Sequence, residues 1–195
     1  LARKPRVPLL PRDGVVVDLE TTGLNPVSGA RVIEIGAVRI HKGVFSEEFH
    51  SLINPGFALP EIAQQITQIS DEELAQAPSC EEVLPKFLAF LGRGPIMAHN
   101  AVFEHAFLDS ECQCIGLLPL VYQYHCTLKL SRKRIVGPLN FKLETLVRYL
   151  RLPVKEQFHR ALPDARATAH LWRYLYELEQ DTLDAPDSFT DEAYY

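Results

Sequence analysis

Three short segments hold acids and histidines in patterns that could do chemistry. The first is Asp18-Leu19-Glu20, at the end of the apolar run GVVVDLE. Residues two apart on a strand point to the same face, and ligands of open α/β sheets bind at the C-terminal ends of strands. Two adjacent carboxylates repel and raise each other's pKa unless a cation neutralises them. Magnesium or manganese, hard ions that prefer oxygen ligands, would do so. A polar strand end meeting solvent reads the same way, so the pair does not decide alone. The second segment is His99-Asn100-Ala101-Val102-Phe103-Glu104, where a strand gives way to a helix. Glu104 falls in the first helical turn, where the helix dipole favours an anion whatever its function, and Phe103 has the character of a core residue. The third is His159-Arg160-Ala161-Leu162-Pro163-Asp164, with His159 in a loop and Asp164 opening the last long helix. A histidine beside an activated water suits a general base near neutral pH. A surface histidine and a helix-start acid would give the same letters.

The elements that must position these residues follow from pattern. Residues 1–13 contain three prolines and read as an arm or linker. GVVVDLE reads as a buried strand, and residues 31–40 and 44–53 as two more, joined at His41-Lys42-Gly43 as a hairpin. Ser70-x-x-Glu73 and Ser79-x-x-Glu82 are capping boxes, so a helix starts at each. Residues 95–99 fit a short strand, 101–115 an amphipathic helix ending at Gly116, and 121–125 another short strand. Helices are expected over 127–133, 142–151 and 161–178. Residues 177–195 hold seven acids and no Lys or Arg, so 179–195 is expected to be an acidic, partly disordered tail. Strands first, then alternating helix and strand, give one α/β domain over 14–178, a mixed sheet covered by helices.

Composition narrows the class. A chain of 195 residues suffices for one well-buried domain. No apolar run approaches the ~18 residues of a membrane span, so no membrane association is expected, and the basic N-terminus has no signal-peptide core. The first residue is Leu, which suggests a piece of a longer chain. The four cysteines form no zinc-like spacing and read as reduced thiols of a cytoplasmic protein. The net charge of −5 argues against a general polyanion binder, yet it is uneven: Lys129 to Arg173 carries eleven Lys/Arg against three acids. Such a stretch can meet phosphates, or simply keep helices soluble.

Each motif is weak, and the ordered set is specific. VVVDLETTGL, IMAHNAVFEHAFL and FHRALPDARATAHL follow one another at strand ends and helix starts. With them the chain resembles, from about Gly14 to Glu177, the DnaQ-like 3′–5′ exonucleases with the DEDD-His signature, typified by the proofreading epsilon subunit of bacterial DNA polymerase III. The resemblance implies a ribonuclease H-like fold, a mixed five-stranded sheet flanked by helices. It also implies hydrolysis with two divalent metal ions, Mg²⁺ or Mn²⁺. Asp18, Glu20 and Asp164 would bind the metals, Glu104 would support the second ion directly or through water, and His159 would take the proton of the attacking water. Thr21, Thr22 and Leu24 would hold the terminal nucleotide, with Ile69, His99 and Phe103 around its base. The expected substrate is single-stranded DNA or the 3′ end of a duplex, with RNA as the alternative. The expected setting is the bacterial cytoplasm, in proofreading or repair beside a DNA polymerase. A catalytically weak, polymerase-associated module is the reading from a different class. Two departures stand out: Glu104 replaces the usual Asp, and Gln68 stands where a Gly is common.

Overall fold

The structure, a computed structural model, describes residues 10–119, 121–154 and 158–184. Strand β1 (Gly14–Thr21) has a β-branched run, Val15 to Val17, that is fully buried, as befits a central strand. It pairs antiparallel with β2 (Val32–His41), which pairs antiparallel with β3 (Val44–Leu52) through a turn at Lys42-Gly43. On its other side β1 lies parallel to β4 (Ile96–Ala98), and β4 parallel to β5 (Tyr124–Cys126). The sheet order is β3-β2-β1-β4-β5.

Three helices lead from β3 to β4: α1 (Glu61–Thr67), α2 (Asp71–Ala75) and α3 (Cys80–Leu91). Both capping boxes form, at Ser70 with Glu73 and at Ser79 with Glu82. The pattern missed α1, because its apolar Ile62 and Ile66 face solvent while Ala63 and Thr67 are buried. It ends at Gln68 with φ +58°, the left-handed conformation that glycine takes most easily. Gln68 tolerates it, and its amide donates to the Gln65 carbonyl. After β4 come α4 (Ala101–Cys114), α5 (Thr127–Arg134), α6 (Leu143–Tyr149) and α7 (Ala161–Asp184). The last helix runs past the expected 178, because Glu179 is buried, pairs with Arg134 and accepts the Leu10 amide at 2.8 Å. Residues 10–12 of the expected arm also touch the domain: Leu10 is buried, and the Trp172 indole donates to the Pro11 carbonyl. The rest of the expected tail, 185–195, and residues 1–9 lie outside the described residues.

Strand alternation divides the core in two. Val15, Val17, Leu19, Ile35 and Ala37 face α3 and α4. Val16, Val38 and Ile40 face α7, with Ala165, Ala169, Trp172 and Leu175. Asp18 and Glu20 have the same parity as Val16, so they lie on the α7 side of the sheet. Opposite Asp18 in the register is Gly36, and there the sheet and α7 nearly touch. A Cβ on Gly36 would sit 2.1 Å from the Ala161 carbonyl carbon. That clash is with backbone, so it cannot be relieved by a rotamer change. We expect Gly36→Ala to destabilise the domain by about 3 kcal/mol or more, the upper end for overpacking. Urea unfolding against wild type checks it; a loss below about 1 kcal/mol would mean that α7 moves away freely.

Candidate active site

The site is built where β1 ends and two helices begin. A β-bulge after Glu20 ends the regular pairing of β1 with β2. Helix α7 brings Asp164 over this point, and α4 brings Glu104 from the β4 side. One carboxylate oxygen each of Asp18, Glu20 and Asp164 lies within 4.8 Å of the others. Glu104 stands outside that trio but close enough for its charge to act on Asp18.

Electrostatics is the main feature of the cluster. Burial, then the charges of Asp164, Glu104 and Glu20, push the Asp18 carboxyl well above its ordinary range. Burial and the nearby Asp164 raise Glu20 to about 8, and burial raises Asp164 to about 6. Burial raises Glu104 as well. Two oxygens, Glu104 Oε2 and Asp164 Oδ1, are buried without a hydrogen-bond partner among the described residues. Buried carboxylates normally have donors, so unpartnered oxygens in a repelling cluster mark a place for a cation. The donor set is all carboxylate oxygen, which suits a hard divalent ion.

A buried ion network fixes Asp164 in place. Glu34, on β2 directly opposite Glu20, is completely buried. It accepts a fork of hydrogen bonds from Arg160 at 2.8 to 3.1 Å, the Ala161 amide at 2.9 Å, and a His50 ring nitrogen lies at 2.7 Å. Burial would raise its pKa, but Arg160, Ala161 and His50 together hold it below the ordinary value. Sequence reasoning missed Glu34; its one signal was an acid inside the apolar run VIEIGAV. His159 follows from the same network. It is exposed, its φ is +69°, and its amide donates to Asp164 Oδ2 at 2.9 Å.

The expected substrate-binding residues divide. Leu24 is 89% exposed beside an open groove with Gly23, Asn25, Phe57 and Pro60. Thr21 is half-buried and its hydroxyl donates to the Gly23 carbonyl, while Thr22 is buried and its hydroxyl accepts the Arg31 amide. Phe103 is half-buried, stacked obliquely on Phe107. Ile69 and His99 are placed otherwise than expected. Ile69 is buried among Ile33, Leu59 and Leu74, with no face left for a base. Both His99 ring nitrogens are engaged, with Thr127 Oγ1 and the Phe141 carbonyl, each at 2.9 Å. Burial lowers its pKa to about 4, so it is a neutral clamp between β4, α5 and the loop before α6.

Acids converging on a sheet's strand end, with a histidine at the rim, could serve a metal-dependent hydrolase of phosphodiesters. The exonuclease family model matches residues 15–172. The chain is 33% identical over 174 residues to the DNA polymerase III epsilon subunit of Aquifex aeolicus, covering 89% of this chain and 85% of that protein. It is 40% identical over 165 residues to the PolC-type DNA polymerase III of Thermotoga petrophila, covering 84% of this chain but only 12% of that much longer protein. Exonuclease X, solved in complex with 5′ overhanging duplex DNA, superposes with a TM-score of 0.68 at 26% identity, over 84% of this chain and 90% of that one. The chain belongs to the DnaQ-like exonuclease family, a family of metal-dependent 3′–5′ exonucleases with a ribonuclease H-like fold. No helix among the described residues is long and apolar enough to cross a membrane.

The raised carboxyls have a consequence for stability without metal. Glu20 keeps its proton in the folded chain up to about pH 8, and Asp164 to about 6. The unfolded chain releases both near ordinary carboxylate values, roughly pH 4. The folded state is therefore progressively disfavoured as pH rises through that window. His99 acts in the opposite sense only below about pH 6.5. In EDTA, Asp18→Asn is expected to melt higher than wild type, by a margin that widens from pH 6.5 to pH 8.5. Mn²⁺ should raise wild type more than the variant. A margin that shrank with pH would count against the cluster as a repelling set.

Proposed function

We propose that this chain hydrolyses DNA from the 3′ end, releasing nucleoside 5′-monophosphates. The observation that carries the reading is the cluster of half-buried Asp18 and Glu20 with buried Asp164, one of whose oxygens has no hydrogen-bond partner among the described residues, and an exposed histidine fixed beside it. Asp18, Glu20 and Asp164, with Glu104 supporting the second position, would hold two divalent cations, Mg²⁺ or Mn²⁺. When bound, these supply the positive charge that neutralises the acids and polarises the phosphodiester. His159 takes the proton of the attacking water. Its exposure lets it pass that proton on to solvent, and the Asp164 contact to its backbone keeps it at the rim. Leu24, projecting after the bulge, wedges against the terminal nucleotide, and Thr21 and Thr22 shape the loop that carries it. Apolar contact with a base is tolerant of sequence, as an exonuclease requires.

DNA as substrate is supported by the DNA in the Exonuclease X complex and by the polymerase III proteins among the relatives. The same relatives support a bacterial cytoplasmic setting and a replicative polymerase as partner, in proofreading or repair. A 5′-labelled single strand, offered as DNA and as RNA with Mg²⁺, Mn²⁺ or EDTA, tests the reading. The expected result is a descending ladder on DNA that EDTA abolishes; immediate release of the labelled nucleotide, or cutting of circular strands, would overturn it. His159→Ala should lower kcat by roughly two to four orders of magnitude, the usual worth of a general base, with Mn²⁺ binding by calorimetry nearly unchanged.

Glu104 separates charge from length. Glu104→Gln should nearly abolish turnover and Glu104→Asp should retain it, with a shifted Mg²⁺ to Mn²⁺ rate ratio, since Mg²⁺ demands near-ideal octahedral geometry. A fully active Glu104→Gln would reduce Glu104 to a helix-start acid.

A further inference from the structure

Within the cationic stretch from Lys129 to Arg173, two groups of side chains differ in three dimensions. Arg134, Arg148, Arg160 and Arg166 are each ion-paired, with Glu179, Glu144, Glu34 and Glu48. Lys129, Arg132, Lys133 and Lys142 are exposed and have no carboxylate partner among the described residues. Lys129, Arg132 and Lys133 fall at positions i, i+3 and i+4 of α5, on one side of it. The other side is occupied: Thr127 and Ser131 are buried, and Arg134 is tied to α7.

This exposed side borders the active site. His99 joins the end of β4 to α5 through Thr127 and to the next loop through the Phe141 carbonyl. The charge of Arg132 reaches His99, five residues before Glu104. Lys142 follows Phe141 directly, and Glu144 is near enough for its charge to act on Asp164. The loop between the helices is held firmly. The Tyr149 hydroxyl donates to the Val136 carbonyl at 2.9 Å, and the Asn140 side chain accepts the Lys142 amide at 3.0 Å. Gly137, with φ +104°, packs so close to the Tyr149 hydroxyl that a Cβ would sit 2.5 Å from it. The pinned loop presents Val136 and Leu139, 90% and 94% exposed, on the stretch of chain between the α5 cations and Lys142.

We propose that this ridge, Arg132 and Lys142 at its centre, holds the sugar-phosphate backbone of the nucleic-acid strand upstream of the 3′ end being cut. The inference rests on the exonuclease reading and adds a second contact region to it. Unpaired cations on a fixed surface attract phosphates with little reorganisation, and the apolar loop tip can lie against sugars or bases. Each phosphate neutralised releases condensed counterions, so this part of the binding is salt-dependent and indifferent to sequence.

The test compares wild type, Arg132→Ala/Lys142→Ala, and Lys86→Ala/Arg93→Ala. The last pair removes the same charge from exposed positions at α3 and the turn after it. Binding of a 5′-fluorescein single strand of about 20 nucleotides is followed by anisotropy with Ca²⁺ over a salt series. Hydrolysis of the same strand with Mn²⁺ is set beside hydrolysis of the p-nitrophenyl ester of thymidine 5′-monophosphate, which is too short to reach the ridge. The ridge double variant should weaken Kd and raise KM for the strand roughly tenfold. Its salt slope should fall by about 1.4, the single-strand value for two phosphates. Its kcat on the strand and its rate on the ester should stay within twofold. A Kd within twofold of wild type, or an equal loss in the control pair, overturns the proposal; the cations would then serve solubility or an acidic protein. If wild type hydrolyses neither substrate, the nuclease reading fails, and the anisotropy series still decides the ridge.

Discussion

The close approach of the first turn of α7 to β2 is the constraint on which the rest depends. At Gly36 the two backbones meet with no room for a side chain. Buried Ala161, Ala165 and Ala169 keep the inner face of the helix thin. Only a helix lying this near can carry Asp164 to within reach of carboxylates on the strand. The approach also buries polar backbone, and Glu34 answers for it by accepting the Ala161 amide while neutralised by Arg160. One buried acid is thus compensated completely, so that its neighbours can be left uncompensated.

That division explains an arrangement otherwise hard to reconcile with stability. Glu20 and Glu34 are cross-strand partners, a like-charge pair that would normally destabilise a sheet. Their environments push them apart: Glu34 is held ionised by its donors, while Glu20 keeps its proton to about pH 8. The first is tied down by its donors and the second is left to repel Asp164, though both are glutamates on adjacent strands. Glu104 is left uncompensated in the same way, its carboxyl buried at the helix start with one oxygen lacking a hydrogen-bond partner among the described residues.

Local rules made much of this legible in the sequence. Strand parity put Asp18 and Glu20 on one face, and the capping boxes placed α2 and α3 to the residue. The three acidic motifs, read in order, located the cluster before any distance was known. What stayed hidden depends on partners far along the chain. His99 reads as a site residue because it adjoins Glu104, but its partners are 28 and 42 residues away and use both its nitrogens. Ile69 reads as a pocket residue and is core, because Leu59 and Ile33 cover it. Glu179 reads as part of an acidic tail until Arg134 and Leu10, 45 and 169 residues away, are seen to bind it.

The pairing of Leu10 with Glu179 has a further consequence. The strand-side start of the domain and the far end of its last helix are joined by a single carboxylate, which accepts the Leu10 amide and binds Arg134. Leu10 is thereby anchored to α7 a little over one turn before that helix ends at Asp184. Loosening the last turns of α7 would therefore free the Leu10 segment as well, so the two open together and not one by one.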